Sequence, residues 1–387
     1  MNTSALPSRC DHALLIGRLW VPHTGPVLVA VTPQQVFDLS ALALTCSDLL
    51  EQDHVAPKIR HAMASGTTPS LAQTPAVLAN SEATVRDASQ PWFMAPCDLQ
   101  AIKAAGVTFV ASMLERVIEE QARGDASRAE AVREAVVAVI GDNLRSVKPG
   151  SPESVRLKEV LLAQGMWSQY LEVGIGPDAE IFTKAQPMSA VGTGALVGIH
   201  PASQWNNPEP EIVLTVNSRG QVVGATLGND VNLRDFEGRS ALLLGKAKDN
   251  NASCAIGPFI RLFDEHYSID DVRQCELTLQ VQGPEGFVMQ GSSALSQISR
   301  DPLDLVCQAM GPYHQYPDGM MLFLGTMFAP TQDRHGPGQG FTHVVGDRVS
   351  VSTPLLGTLV NQVTTSDQAQ PWTYGVSALM RDLARRS

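Results

Sequence analysis

The sequence predicts an α+β protein in which a small N-terminal domain, residues 1–98, precedes a larger second domain, residues 99–387. Short apolar runs that alternate with glycine and proline turns in residues 13–45 are typical of a small β-rich unit. Residues 66–96 are rich in Thr, Ser, Gln, Pro and Ala and have little periodicity, which predicts a linker. This change in composition places the domain boundary near residue 98.

The remaining elements follow from periodicity and from helix start and stop signals. Residues 47–61 have a helical pattern. In the second domain, helices are expected at 110–145, interrupted near Gly124, and at 154–162. Short strands and turns dominate from there to about residue 365. Further helices are expected near 235–247, 301–309 and 374–385, and the last of these has basic residues at its C-terminal end, as the helix dipole favours.

Composition narrows the classes of partner. The formal net charge of −11 disfavours nucleic acids and anionic membranes. Charged residues make up 17 % of the chain, below the usual share of about 25 %, which suggests surface buried between subunits. The six cysteines lack paired spacing, residues 1–12 lack an apolar signal core, and no run approaches the roughly 18 apolar residues of a membrane span. We therefore expect a reduced, cytoplasmic protein without a membrane segment.

Three acidic residues are predicted to converge on one face of a β-hairpin. Glu209 and Glu211 lie two apart at the start of an apolar run, so their side chains share a face of the strand. The turn cluster at residues 217–220 leads into a second apolar run. A hairpin centred on this turn places Glu209 opposite Gly228, and Asp230 then lies just beyond, on the same face.

Three converging carboxylates require compensation. Two unit charges ~4 Å apart at an effective dielectric constant of ~20 repel each other by roughly 4 kcal/mol. Either one group is protonated, or a cation lies between them, or the residues are a solvated strand face. Oxygen ligands without His or Cys suit a hard cation such as Mg²⁺, with Mn²⁺ or Ca²⁺ as alternatives.

The order of motifs along the chain resembles the fumarylacetoacetate hydrolase family. Members carry a Glu-x-Glu…Asp metal site and a lysine some nine residues before a Gly-Pro pair, and here Lys248 precedes Gly257-Pro258 by that spacing. The pair Gly325-Thr326 resembles the family's substrate-contacting Gly-Thr. The resemblance covers roughly residues 100–387 and is greatest to the branch that dehydrates 2-keto-3-deoxy-D-pentonates. The runs that carry this second likeness are 99–109, 167–172, 246–254 and 315–319.

The resemblance implies a fold and a set of site residues. The fold would be a mixed β-sandwich or roll with flanking helices behind the small N-terminal domain, in a homodimer or homotetramer. Glu209, Glu211 and Asp230 would hold the metal, while Glu180 and Lys248 would be catalytic, without the sequence deciding which is the base. The residues implied to contact substrate are Thr326, Lys184 and Thr108. Lys184 could instead pair with Glu180.

The implied activity is Mg²⁺-dependent dehydration of 2-keto-3-deoxy-D-pentonate to 2,5-dioxopentanoate in pentose catabolism. The family's C–C-cleaving hydrolases carry a His in a lid segment, and the corresponding residues 106–116 contain none. An acylpyruvate or 2,4-diketo-acid hydrolase, with water activated by Glu180, remains the alternative. A metal-binding, non-catalytic sugar-acid binding protein is a third reading, which would require an inert Lys248.

Overall fold

The computed structural model describes residues 4–8, 12–140, 147–163, 165, 167–326, 328 and 330–386. Strands and helices are both numbered in chain order. The strands of the described residues are β1 (Leu15–Val21), β2 (Gly25–Val31), β3 (Gln35–Asp38), β4 (Ser70–Gln73), β5 (Trp92–Phe93), β6 (Ala101–Gly106), β7 (Glu180–Ala185), β8 (Leu196–Ile199), β9 (Asn206–Asn207), β10 (Pro210–Val216), β11 (Val222–Asp230), β12 (Asn232–Leu233), β13 (Cys254–Leu262), β14 (Glu276–Gln282), β15 (Val288–Ala294), β16 (Met320–Phe323), β17 (Arg348–Thr353) and β18 (Gly357–Thr365).

Helices connect and flank these strands. The α-helices of the described residues are α1 (Cys46–Leu50), α2 (Val55–Ala64), α3 (Thr74–Glu82), α4 (Val110–Ala122), α5 (Ala126–Ile140), α6 (Pro152–Ala163), α7 (Gln169–Ile175), α8 (Arg234–Glu237), α9 (Leu244–Lys248), α10 (Ile269–Arg273), α11 (Pro302–Ala309) and α12 (Val376–Arg386). Two single turns of 3₁₀-helix, Ala241–Leu243 and Leu295–Gln297, complete the regular structure.

One mixed sheet runs through both predicted domains. Eleven strands of the described chain form it in the order β4-β3-β2-β1-β13-β11-β10-β16-β6-β7, with β5 paired to β1. Neighbours pair antiparallel except β16 and β6, which are parallel. The N-terminal strands join the rest where Leu15 lies opposite Arg261 and Ile16 opposite Ile260. The N-terminal segment therefore extends the sheet that carries the acidic hairpin.

A second sheet covers one face of the first. Its order is β15-β14-β17-β18-β8, with β18 and β8 parallel. One buried apolar cluster contains Leu214 and Leu227 from the large sheet and Leu279 and Val351 from the small one, so the two sheets pack as a sandwich. This burial of two apolar faces against each other is the main hydrophobic contribution to the fold. The opposite face of the large sheet is covered by α1 and α2.

The predicted α+β class with a mixed β-sandwich and flanking helices is confirmed. The helices expected at 47–61, 110–145, 154–162, 301–309 and 374–385 are present, although the first divides into α1 and α2 and residues 141–145 lie outside the described range. The expectation of an irregular linker at 66–96 is wrong: it contains β4, α3 and β5. The division at residue 98 stays a prediction. Among helices of the described residues, none is both long and apolar enough to cross a membrane.

Candidate active site

Strands β10 and β11 form the hairpin that carries the three acidic residues. Glu211 lies opposite Gly228, and the amide of Asp230 donates a hydrogen bond to the carbonyl of Glu209 at 3.0 Å. The register therefore differs by two residues from the predicted one, in which Glu209 faced Gly228. Because side chains alternate with a period of two, a shift of two residues leaves them on the same face. The predicted convergence of the three carboxylates is confirmed.

The three carboxylates, here called the acidic triad, are buried and close together. Glu209, Glu211 and Asp230 are 4 %, 2 % and 1 % exposed, and each offers an oxygen within 4.8 Å of the other two. Backbone contacts fix their positions, since Glu211 Oε2 accepts a hydrogen bond from the amide of Gly325 at 2.6 Å. The amide of Glu209 donates to Asn229 Oδ1 at 3.1 Å. The fold thus assembles a concentrated negative charge away from solvent.

Two buried lysines approach the triad from different sides. Lys248 Nζ lies 2.5 Å from Glu209 Oε2 and 2.9 Å from Asp230 Oδ2. Lys184 Nζ lies 2.9 Å from Asp230 Oδ1 and also donates to the carbonyl oxygen of Lys248. Lys246, in contrast, is exposed. Lys184 is thus directed at Asp230 and not at Glu180, and its contact with substrate stays a prediction.

Glu180, at the start of β7, has its carboxylate on the same cavity as the triad. It pairs in register with Gly106 of β6, and a Cβ atom on Gly106 would lie 2.0 Å from Glu180 Oε2. The absence of a side chain at Gly106 therefore leaves the space that this carboxylate fills. Within the described residues, no hydrogen bond or ion pair holds the Glu180 carboxylate, so it is available to a ligand.

The Gly325-Thr326 segment forms another part of the cavity wall. Thr326 Oγ accepts a hydrogen bond from the amide of Phe328 at 3.2 Å. Thr108, also predicted to bind substrate, is buried beneath this segment and donates to the carbonyl of Leu324 at 2.6 Å. The structure thus places Thr326 on the cavity and Thr108 behind it. Contact of either residue with substrate stays a prediction.

Two charged residues that line this site, Arg116 and Glu237, were not predicted from the sequence. Arg116 of α4 lies 2.5 Å from Glu209 Oε1 through Nη2, and Nη1 lies 2.7 Å from Glu119 and 2.8 Å from Glu237. Arg234 extends this network by pairing with Glu119 at 2.6 Å. The only signal in the sequence was the number of charged residues in two helical segments, which is more typical of a solvated helix face.

Burial and neighbouring charges shift the pKa values of the triad and of Lys248. Burial, reinforced by Asp230 and Glu209, raises the pKa of Glu211 well above its ordinary value. Burial also acts to raise the pKa of Asp230, but the ammonium groups of Lys184 and Lys248 hold it below its ordinary value. For Lys248, burial alone would lower the pKa, but the negative charges of Asp230 and Glu209 outweigh burial, and the pKa is raised above its ordinary value. A neutral Lys248 therefore requires that another cation compensate these carboxylates.

Two further carboxyl groups on the cavity have raised pKa values. Burial raises the pKa of Glu180, against the opposing charges of Arg116 and Lys248. Burial raises the pKa of Glu237 to about 7, again against Arg116. Buried groups with perturbed pKa values cluster at functional sites, so both carboxyl groups are candidates for proton transfer or ligand binding.

The donor set of the triad fits a hard divalent cation. Oxygens within 4.8 Å of one another can share one ion, because Mg²⁺–oxygen distances are about 2.0–2.1 Å and those of Ca²⁺ about 2.3–2.6 Å. Among the described residues, no His or Cys joins this cluster, which disfavours ions that prefer nitrogen or sulfur. The narrow cavity beside the triad, about 20 Å³, holds roughly one water.

Comparison with known proteins agrees with this geometry. Residues 176–364, which contain the triad, Glu180 and Lys248, match the family described as fumarylacetoacetate (FAA) hydrolase, C-terminal. Residues 176–364 thus match a fumarylacetoacetate hydrolase family domain. The resemblance inferred from the motifs is confirmed.

Two curated relatives of this family domain are dehydratases by name. A probable 2-keto-3-deoxyxylonate dehydratase of Haloferax volcanii is 30 % identical over 200 residues, 52 % of this chain and 65 % of the relative. A 2-dehydro-3-deoxy-D-arabinonate dehydratase of Saccharolobus solfataricus is 31 % identical over 184 residues, 48 % of this chain and 58 % of the relative. The chain thus spans less than two thirds of the length of each of these curated relatives.

A solved structure shares the fold over nearly the whole chain. It is described as 2-keto-3-deoxy-D-arabinonate dehydratase complexed with magnesium and 2,5-dioxopentanoate. The TM-score is 0.60 at 19 % identity, over 91 % of this chain and 99 % of the other. At that identity the likeness concerns the fold, and it extends beyond the matched family domain into the N-terminal strands.

Proposed function

We propose that this chain is a Mg²⁺-dependent dehydratase that converts 2-keto-3-deoxy-D-pentonate into 2,5-dioxopentanoate. The observation that carries the proposal is one cavity lined by the acidic triad, Lys248 and the unpaired carboxylate of Glu180. The names of the curated relatives support the same substrate class.

The triad residues Glu209, Glu211 and Asp230 would hold the cation. When bound, a divalent cation supplies a Lewis acid that stabilises negative charge on the C2 oxygen of the substrate. Glu180 is suited to take the C3 proton because its carboxylate is free of protein partners and its pKa is raised. Lys248 is suited to donate a proton to the departing C4 hydroxyl because the neighbouring carboxylates keep it an ammonium ion.

The bond changes balance as the loss of one water. The C3–H bond breaks towards Glu180, the C4–O bond breaks as the hydroxyl takes a proton from Lys248, and a C3–C4 double bond forms. The unsaturated 5-hydroxy acid is an isomer of 2,5-dioxopentanoate. It reaches that product when protons move from C5 and its hydroxyl to C3 and C4.

Among the described residues of the cavity there is no counterpart of the lid His of the C–C hydrolases, so only Glu180 is left to activate water in that alternative. Segment 106–116, which carries the lid His in the hydrolases, contributes Ser112 and Arg116 to this cavity. Arg116 is an ion-pair partner of Glu209, and an arginine cannot deprotonate water at neutral pH.

The decisive experiment supplies purified protein with Mg²⁺ and 2-keto-3-deoxy-D-pentonate. Formation of 2,5-dioxopentanoate is followed with a semialdehyde dehydrogenase as the reporter. We expect activity that disappears with EDTA and returns with Mg²⁺, Mn²⁺ being the second metal to test and Ca²⁺ the third. No semialdehyde, together with pyruvate release from a 2,4-diketo acid, would overturn the proposal in favour of the hydrolase. Stabilisation by the sugar acid without turnover would favour the non-catalytic binding protein.

We also propose that the protein is cytoplasmic and forms a homo-oligomer. Its partner would be the small sugar acid, and neither nucleic acid nor a membrane would be a partner. The net charge of −11 and the low charged content support this. Native mass measurement distinguishes a monomer from the expected homodimer or homotetramer.

A further inference from the structure

The carboxylate of Glu237 lies inside the cavity, yet the proposed reaction gives it no role. Glu237 ends α8 and is 4 % exposed. Its Oε2 forms an ion pair with Arg116 Nη1 at 2.8 Å, and no other group of the described residues donates to it. Buried acceptors are nearly always hydrogen-bonded. An ionised carboxylate offers about four acceptor sites, so this ion pair leaves Glu237 with acceptor capacity that a ligand in the cavity can use.

Arg116 sets the distance of Glu237 from the acidic triad. One terminal nitrogen of its guanidinium contacts Glu209 Oε1 at 2.5 Å, and the other contacts Glu237 at 2.8 Å. Glu237 is thus separated from a candidate metal ligand by the width of one guanidinium group. Arg116 is itself held by Glu119 at 2.7 Å, so this spacing does not depend on Glu237 alone.

The charge of Glu237 decides which end of the substrate it can meet. In its ionised form Glu237 repels the carboxylate of a sugar acid, and that end would be drawn to a cation held at the triad. The far end is connected to the carboxylate by four carbon–carbon bonds of about 1.5 Å each, and Glu237 is the cavity carboxylate held on the other side of Arg116 from Glu209. That end carries a hydroxyl group, which can donate to the remaining acceptor sites of the Glu237 carboxylate.

We propose that Glu237 accepts a hydrogen bond from the terminal hydroxyl of the substrate, and that Arg116 positions Glu237 for this contact. Glu237 would then be a specificity-determining residue that selects sugar acids hydroxylated at C5. This inference rests on the proposed dehydratase function. A site built to bond a hydroxyl group discriminates strongly against an analogue that lacks it, because the buried partner is left unpaired.

The test compares two substrates, 2-keto-3-deoxy-D-pentonate and its analogue without the C5 hydroxyl, 4-hydroxy-2-oxopentanoate. Loss of the analogue's C4 hydroxyl gives a conjugated 2-oxo-3-enoate, which is followed by its ultraviolet absorbance. We expect wild type to prefer the pentonate by roughly 10- to 100-fold in kcat/KM, the effect of one hydrogen bond to a charged group. In Glu237→Ala this preference should collapse towards unity, mostly through lost activity on the pentonate.

Two further variants separate this contact from a structural effect. Glu237→Gln retains size and an acceptor oxygen, so it should keep more of the preference than Glu237→Ala. Asp235→Asn changes a carboxylate of the same helix that instead accepts from Ser203 and the amide of Gln204, and it should preserve the full preference. Circular dichroism and Mn²⁺ titration establish that each variant is folded and holds metal; should Glu237→Ala fail either, Glu237→Gln carries the comparison.

The outcomes are distinct. Equal use of both substrates by wild type, or an unchanged preference in Glu237→Ala, would overturn the assignment of Glu237 while the dehydratase stands. If Glu237→Ala and Glu237→Gln each lower kcat/KM equally for both substrates, the assignment is also overturned, because a purely structural role of Glu237 would have that effect. Absence of dehydration of either substrate by wild type would instead refute the proposed function itself.

Discussion

Replacement of Gly106 by alanine tests the role of Glu180 without altering any reacting group. The added Cβ would lie 2.0 Å from Glu180 Oε2 and 2.7 Å from its Cδ, distances far below van der Waals contact. The φ angle of Gly106 is outside the left-handed region, so alanine fits the backbone there. The obstructed atoms are the end of a flexible side chain. We therefore expect the protein to fold and the Glu180 carboxylate to move by about 1 Å or more.

The magnitude follows from this displacement. Misplacing a catalytic group by about 1 Å costs on the order of 10²-fold in rate, and the whole contribution of a general base is roughly 10²–10⁴-fold. Gly106→Ala should lower kcat within this range and leave affinity for Mg²⁺ close to that of wild type. Stability should change by less than about 1 kcal/mol, because the restriction of the unfolded chain by alanine is offset by the displacement of the Glu180 side chain.

The assay combines the coupled semialdehyde measurement with metal titration and thermal unfolding. Gly245→Ala is the matched control, since a Cβ at Gly245 has no neighbour within 4 Å, and it should retain wild-type turnover. A Gly106→Ala protein with wild-type kcat would refute the placement of Glu180 as the base. Lost metal affinity in that variant would show that the damage reaches the triad instead.

Three further predictions concern the charged groups. Glu211→Ala should lose both Mg²⁺ binding, measured by calorimetry, and turnover. Full activity of the wild-type protein after metal removal would contradict the ligand assignment. Lys248→Met should abolish turnover and lower the free energy of unfolding of the metal-free protein by about 3–5 kcal/mol, because the buried triad loses a cation. Addition of Mg²⁺ should stabilise this variant more than it stabilises wild type. Retained turnover would exclude Lys248 as the acid. Burial raises the pKa of Glu237 from 4.5 to about 7, so the folded protein binds a proton on Glu237 more tightly than the unfolded chain does. The contribution of Glu237 to stability should therefore fall as the pH rises from about 4.5 to about 7. Urea unfolding should show this pH slope reduced in Glu237→Gln, and an unchanged slope would mean that another group titrates there.

The sequence was sufficient for the triad because side-chain alternation along two strands decides which residues share a face. Glu209, Glu211 and Asp230 were expected to share a face, and an error of two residues in the register did not alter that face. Lys248 was placed by motif spacing, and its burial beside Glu209 agrees with that placement.

Arg116 and Glu237 could not be found in the same way. Both belong to helical segments with several charged residues, and a helical pattern does not tell which charge faces a cavity. Their proximity depends on packing between α4 and α8, which are distant in the sequence. The segment at 66–96 was misjudged for a related reason: β4 and β5 are short strands formed by pairing with β3 and β1, and their own sequence is weakly periodic.

The pairing of β1 with β13 has a consequence for any shortened form of this protein. All nine residues of β13 are buried, and the carbonyl and amide groups at its C-terminal part meet Leu15 and Ile16. Removal of residues 1–98 would expose the edge of β13 that pairs with β1, together with the apolar residues of β13 that pack against the N-terminal segment. Exposed apolar edge strands recruit other chains and promote aggregation. The solubility of the catalytic portion thus depends on a segment that supplies none of the proposed catalytic residues.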